Sequence, residues 1–305
     1  MSRFRLSIAL SLALAAATAA ADGRTREGTI RAAAVPPAIS PGAALAEDAY
    51  PARALALRSA SALVLDQNSG ATIFGKNTAA VLPIASITKL MTAMVVLDAK
   101  LPFDESIAIN QDDVDYLKGT RSRLKVGARL TREDLLRLSL MASENRAASA
   151  LARAYPGGAY AFMAAMNRKA AELGMHDSRF IDSTGLTSAN VSTAQDLVKL
   201  VDASFRYAEI RAFSTAPRYD VRINGREQTF RNTNLLVKTG GWQIGLSKTG
   251  YISEAGRCLV MQARLAQKNV VIVLLDSWGK HTRIGDANRI RKWLESGPHK
   301  PPTRT

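Results

Sequence analysis

The sequence predicts an α+β domain, a mainly antiparallel five-stranded sheet built from both ends of the chain with helices between. Three observations carry this. Two strand-like runs joined by a turn open the folded region, the middle keeps a helical period, and three strands with short turns follow near the end. Runs of strands segregated from runs of helices argue against a doubly wound parallel sheet.

Residues Ala60 to Asp66 read as the first strand, Gln67-Asn68-Ser69-Gly70 as a turn, and Ala71 to Phe74 as the returning strand. Pro83 then precedes an amphipathic helix whose apolar positions are Ile87, Leu90, Met91, Met94, Val95 and Leu97. Thr131-Arg132-Glu133-Asp134 resembles a capping box, and Leu135, Leu138 and Met141 line the helix it opens. Further helices are expected from Asn145 to Tyr155, from Ala159 to Leu173, and from Thr193 to Phe205, the last behind a Thr193–Asp196 cap. The period then becomes alternating. Asn224-Gly225 between Tyr219–Ile223 and Arg226–Phe230 is a strong hairpin signal. Leu246 to Ile252, Arg257 to Leu265 and Val270 to Leu275 follow as strands, and their short connections force antiparallel neighbours. Ile284 to Leu294 closes as a helix. That helix and the one carrying Ser86 are expected to cover the two faces of the sheet.

Outside this domain the sequence changes character. Residues 1–21 read as a cleaved secretory leader: Arg3 and Arg5, an apolar run from Leu6 to Thr18, then Ala19-Ala20-Ala21. The apolar run is shorter than the roughly 20 residues of a membrane span, so a protein exported from the cytoplasm without a stable anchor is expected. Residues 22–55, with Pro36-Pro37, Pro41 and Pro51, read as a flexible lead-in, 56–296 as the folded domain, and 297–305 as a disordered tail.

The 305 residues carry a net charge of +15; a leader with two arginines and no acids would leave +13. Scattered basic charge without a basic-aromatic motif, behind a secretory leader, argues against nucleic acid. An anionic envelope polymer is the more natural partner, with a merely soluble basic surface as the rival. Cys258, the single cysteine, allows no intramolecular disulfide and sits in a strand-like run as a small buried hydrophobe. His176, His281 and His299 lack metal-ligand spacing, so no metal and no cofactor are expected.

Chemistry gathers in three short signatures. Ser86 and Lys89 stand three apart at a helix start, on one face and within contact distance. A serine hydroxyl needs a base, and a lysine can serve only if burial, nearby positive charge and the helix N-terminus lower its pKa. Ser143-Glu144-Asn145 falls at a loop between two helices, where Ser143 could relay a proton and Asn145 could hold an amide. Lys248-Thr249-Gly250 lies on a strand: the cation and the Thr249 hydroxyl could hold a carboxylate, and Gly250 leaves room for an extended peptide alongside. The backbone N–H groups of Ser86 and Tyr251 could form an oxyanion hole. Taken singly, the first two signatures read as helix caps, with Lys89 a solvated lysine; together they describe a serine nucleophile with a lysine base. A second Lys-Thr-Gly at 238–240 runs into a turn-like Gly241-Trp242, so the later copy is favoured, although local sequence does not forbid the first.

In this ordered trio the chain resembles the penicillin-recognising serine DD-peptidases, a superfamily that includes the class A β-lactamases. The likeness extends to Ala60–Asp66, the run from Pro83 to Thr92, Thr184-Gly185-Leu186, the run from Ser192 to Leu197, and Ala255 to Val260, about 60 to 280 in all. These segments look like low-molecular-mass D-alanyl-D-alanine peptidases. The resemblance implies a three-layer α/β/α, β-lactamase/transpeptidase-like fold with a helical insertion. It implies Ser86 as acylated nucleophile, Lys89 as base, Ser143 as proton relay, and Asn145 and Lys248 as substrate-binding groups. Peptidoglycan peptide stems and cross-links would be the substrate, and β-lactams covalent inhibitors. The stretch Leu246 to Gly256 looks most like the endopeptidase branch, which cuts D-alanyl–diaminopimelate cross-links; no room remains after Leu294 for the β-domain and amphipathic anchor usual in carboxypeptidase members. Carboxypeptidase activity is the alternative. A β-lactamase is disfavoured because no Glu-x-x-Leu-Asn follows Ser143, so a penicilloyl adduct should leave slowly. A silent envelope-binding scaffold would have no chemical use for Ser86, Lys89, Ser143, Asn145 and Lys248 together.

Overall fold

The computed structural model describes residues 55–296. The expected leader, the lead-in up to residue 54 and the tail from 297 lie outside them. In chain order the elements are β1 (Ser59–Asp66), β2 (Thr72–Lys76), β3 (Leu82–Pro83), α1 (Thr88–Asp98), β4 (Ser106–Ala108), β5 (Arg129–Thr131), α2 (Arg132–Met141), α3 (Asn145–Arg153) and α4 (Gly158–Glu172). Then come β6 (Val191–Ser192), α5 (Ala194–Phe205), α6 (Ala208–Thr215), β7 (Arg218–Ile223), β8 (Arg226–Arg231), β9 (Gln243–Ile252), β10 (Gly256–Leu265), β11 (Lys268–Ser277) and α7 (Thr282–Glu295). No helix among the described residues is long and apolar enough to cross a membrane.

Five strands form the main sheet in the order β2-β1-β11-β10-β9, antiparallel throughout. The N-terminal pair joins the C-terminal three through β1 and β11, where Ser61 faces Leu275 and Leu65 faces Val271. Strand periodicity sends alternate side chains to two separate cores. Ala62, Val64, Leu259, Met261, Ile272 and Leu274 pack with Ala287 and Ile290 of α7. Leu63, Cys258, Val260, Val271, Val273 and Leu275 face the helical layer of α1 to α6. Burial on both faces explains why these strands read as nearly continuous apolar runs. Asp286 of α7 fastens the start of β1, accepting from the backbone N–H groups of Arg58 and Ser59 and from the Ser59 hydroxyl.

Most expected elements are present, with three corrections. Helix α1 is not amphipathic: every residue from Thr88 to Val96 is buried. Ala93, Val96, Thr88 and Thr92 fill the side that a surface helix would give to water, so α1 runs through the middle of the helical layer. In consequence α5 and α6, and not the Ser86 helix, pack against the sheet on that face. Helix α6 was not anticipated, because Tyr207 starts it without a side-chain cap. The Asn224-Gly225 hairpin forms with φ of +50° and +77°, a primed turn, and β7 and β8 make their own two-stranded ribbon outside the five-stranded sheet. The Thr131 capping box is complete: its hydroxyl accepts from the Asp134 N–H, and the Asp134 carboxylate accepts in return.

Candidate active site

Ser86 sits in a 3-10 turn, Ala85–Ile87, that runs directly into α1. The turn lies against the edge strand β9. Ala85 before it has φ +48°, a left-handed conformation that an alanine holds only at a cost of about 1–3 kcal/mol. Gly185, at φ +78°, makes the neighbouring loop fit: a Cβ there would stand 1.9 Å from the Ala85 carbonyl oxygen. Gly185→Ala is accordingly expected to destabilise the protein by about 3 kcal/mol; a thermal melt unchanged from wild type would contradict this close approach.

Lys89 projects from the first turn of α1 and is completely buried. Its Nζ lies 2.8 Å from Ser86 Oγ, 2.8 Å from Asn145 Oδ1 and 2.6 Å from the Thr184 carbonyl oxygen. Burial lowers its pKa to about 7, against the carboxylates of Asp182 and Glu144, which pull it up. Nearby positive charge, expected to act alongside burial, is not among the causes for Lys89; burial is the one that lowers it. A neutral amine has two hydrogens and one lone pair. The Thr184 carbonyl and Asn145 Oδ1 can only accept, so they take the two hydrogens, and the lone pair is left for the one neighbour with a hydrogen to give, the Ser86 hydroxyl. That is the arrangement a general base requires.

The loop between α2 and α3 brings in the second signature. Ser143 holds φ +58°, a second strained non-glycine residue at the same cleft. Its Oγ accepts from Lys248 Nζ at 2.9 Å, and Asn145 opens α3 with its amide reaching Lys89. Lys248, on β9, is buried and also donates to the Thr249 carbonyl. Burial, then the charges of Lys89 and Arg283, push its pKa well below the ordinary value. Thr249 is buried and shares a 2.7 Å hydroxyl contact with Thr233. A Cβ on Gly250 would meet the Ile84 carbonyl oxygen at 2.9 Å and the Ser86 nitrogen at 3.1 Å, so strand β9 and the Ser86 turn touch there without a side chain between. Tyr251 is exposed, with the Arg257 guanidinium 4.4 Å from its ring centre. The eight residues singled out from the sequence therefore meet along one edge of the sheet. The earlier Lys-Thr-Gly, 238–240, lies in an exposed stretch before β9.

Several neighbours were invisible to motif reasoning. Thr184 gives Lys89 an acceptor through its backbone, which no side-chain pattern announces. Asp182 pins that loop by accepting from the Thr184 N–H and hydroxyl and from the Thr187 N–H. Arg283, from α7, donates to the Gly250 and Cys258 carbonyls at 2.8 and 3.1 Å; burial lowers its pKa to about 10. Thr120 donates to Asp115 and receives the Asn145 amide. Lys118 of the same loop pairs with Glu254 at the β9–β10 turn, so the loop reaches both walls of the cleft. A groove of about 520 Å³ beside residues 142 and 144 is lined by Arg121, Arg123, Phe230 and Arg231.

Comparison with known proteins agrees with this geometry. A family profile for D-alanyl-D-alanine carboxypeptidase matches residues 48–279. The D-alanyl-D-alanine endopeptidase of Pseudomonas aeruginosa is 50% identical over 243 residues, 79% of this chain and 78% of that protein. The D-alanyl-D-alanine endopeptidase of Escherichia coli is 46% identical over the same shares. Among solved structures, the Streptomyces K15 DD-transpeptidase superposes with a TM-score of 0.73 at 28% identity, over 79% of this chain and 98% of that one. With the fold and three signatures assembled on one strand edge, the chain belongs to the D-alanyl-D-alanine carboxypeptidase family of serine peptidases.

Proposed function

We propose that the chain is a D-alanyl-D-alanine endopeptidase that hydrolyses D-alanyl–diaminopimelate cross-links of periplasmic peptidoglycan through an acyl-enzyme on Ser86. The observation that carries this is the Lys89 amine, buried, with a pKa of about 7 and its lone pair left for the Ser86 hydroxyl. The two relatives at 50% and 46% identity, both endopeptidases, favour the cross-link over a terminal D-alanine.

In this reading Ser86 Oγ attacks the D-alanyl carbonyl carbon while its proton passes to Lys89 Nζ. The oxyanion is held by the backbone N–H groups of Ser86 and Tyr251. The C–N bond then breaks, and the departing amine takes a proton that Ser143 passes on. Water hydrolyses the ester with Lys89 again as base. Asn145 holds the substrate amide, the open edge of β9 pairs with the extended peptide along Gly250, and Lys248 with Thr249 holds a carboxylate. An arriving carboxylate would favour the ammonium form that burial disfavours in Lys248. A β-lactam enters the same steps, except that its amine stays tethered and the adduct persists.

Carboxypeptidase activity is the second reading, favoured by the description of the family profile. Digestion of a cross-linked dimer muropeptide beside a pentapeptide monomer, followed by mass spectrometry, separates the two. Loss of dimer with the monomer intact is expected; loss of the terminal D-alanine alone would overturn the endopeptidase assignment.

A further inference from the structure

A hydrogen-bond chain with only one consistent direction leads from an exposed loop to the base. Asp115 accepts from the backbone N–H groups of Leu117, Lys118 and Thr120 and, at 2.6 Å, from the Thr120 hydroxyl. Burial pushes its carboxyl up, but these bonds, led by the one from Thr120, outweigh it and leave the pKa below the ordinary value. An ionised carboxylate has no hydrogen to give. Thr120 must therefore spend its single hydrogen on Asp115 and can only accept from its other neighbour. That neighbour is the Asn145 amide, 3.0 Å away. Only its NH₂ end can face an accepting oxygen, so its oxygen end is turned to Lys89.

We infer that Thr120, held by Asp115, is a positioning residue that sets the orientation of the Asn145 amide and thereby aims the Lys89 lone pair at Ser86. This rests on the proposed function, since it assigns a cause to the geometry of that base. Were the amide reversed, its NH₂ would donate to the Lys89 lone pair, competing with the Ser86 hydroxyl for it. The reversed amide would also offer a protonated Lys89 no acceptor. Reversal thus weakens the base kinetically and favours its neutral form. The charged groups around Lys89 are Asp182, Glu144 and Lys248, and none of them touches Thr120.

The account predicts two linked changes when the hydroxyl is removed. In Thr120→Val, the plateau rate of acylation by a fluorescent penicillin should fall about tenfold, as expected for one lost orienting hydrogen bond. The midpoint of the pH–rate curve should also move below its wild-type position. Thr120→Ser, which keeps the hydroxyl, should restore both. A loss of packing alone would lower the rate without moving the midpoint, and would not be rescued by serine. The inference is overturned if Thr120→Val matches wild type in plateau and midpoint, or if Val and Ser variants lose activity equally. Failure of the wild-type protein to be acylated at all would instead sink the proposed function, so the two failures are distinguishable.

Discussion

Ser86→Ala is expected to remove penicillin acylation and dimer cleavage together, with a fall of about 10⁴-fold or more. Every covalent step of the proposed pathway passes through this one oxygen, and what remains is a cleft that binds without bonding. The loss should be chemical and not structural. Ser86 is only half-buried, and among the described residues the one hydrogen bond its hydroxyl makes is to Lys89, so stability should change by about 1 kcal/mol or less. A folded Ser86→Ala protein with cleavage near the wild-type rate would reject the acyl-enzyme reading.

The second large effect belongs to Lys89 and appears twice, in rate and in stability. With the native pKa at about 7, acylation should rise with pH, reach half its plateau near that value, and fall about tenfold for each unit below. Lys89→Met, which keeps the length but has no base, should lower the plateau by about 10³-fold and abolish the titration. Stability follows by linkage. The unfolded lysine keeps its proton up to the ordinary 10.5, whereas the native one loses it near 7. Between those values the unfolded state binds more protons, so stability rises with pH, by up to about 1.4 kcal/mol per unit. Below about 7 both states are protonated and the contribution of Lys89 to the slope vanishes. Lys248 acts in the same direction, because burial depresses it too. Denaturant titrations of wild type and Lys89→Met from pH 7 to 10 isolate the Lys89 share; parallel curves would show that this amine is charged in the native protein.

Much of this was legible in the sequence because its chemistry is local. Ser86 and Lys89 are one helical turn apart, Ser143 and Asn145 frame one loop, and Lys248 to Tyr251 are consecutive on one strand. Short motifs of that kind survive reading without a structure. The antiparallel neighbours at each chain end were legible for the same reason, since short turns dictate them. What stayed hidden is long-range. Thr120 meets Asn145 across 25 residues, Thr184 meets Lys89 across 95, and Arg283 reaches Gly250 across 33. Thr120 and Arg283 stand in no pattern that distinguishes them from their neighbours, and Thr184, although its segment carries the family likeness, acts through its backbone carbonyl. The apolar stripe of α1 was readable, but not that Thr88 and Thr92 would also be enclosed, their hydroxyls bonded to the carbonyls of Ala85 and Ser183. Of the two Lys-Thr-Gly copies, the later one, favoured from its strand-like surroundings, is the copy that β9 carries to Ser143.

All the chemistry proposed here depends on an uncharged amine drawing the proton from one particular hydroxyl. Peptide mapping by mass spectrometry after exposure of the folded protein to a labelled penicillin, repeated across the pH range about the Lys89 pKa, tests that dependence directly. The account predicts a single persistent adduct on Ser86 whose rate of formation climbs through about pH 7. An unlabelled Ser86 in folded protein, or labelling at a rate indifferent to pH, would contradict it.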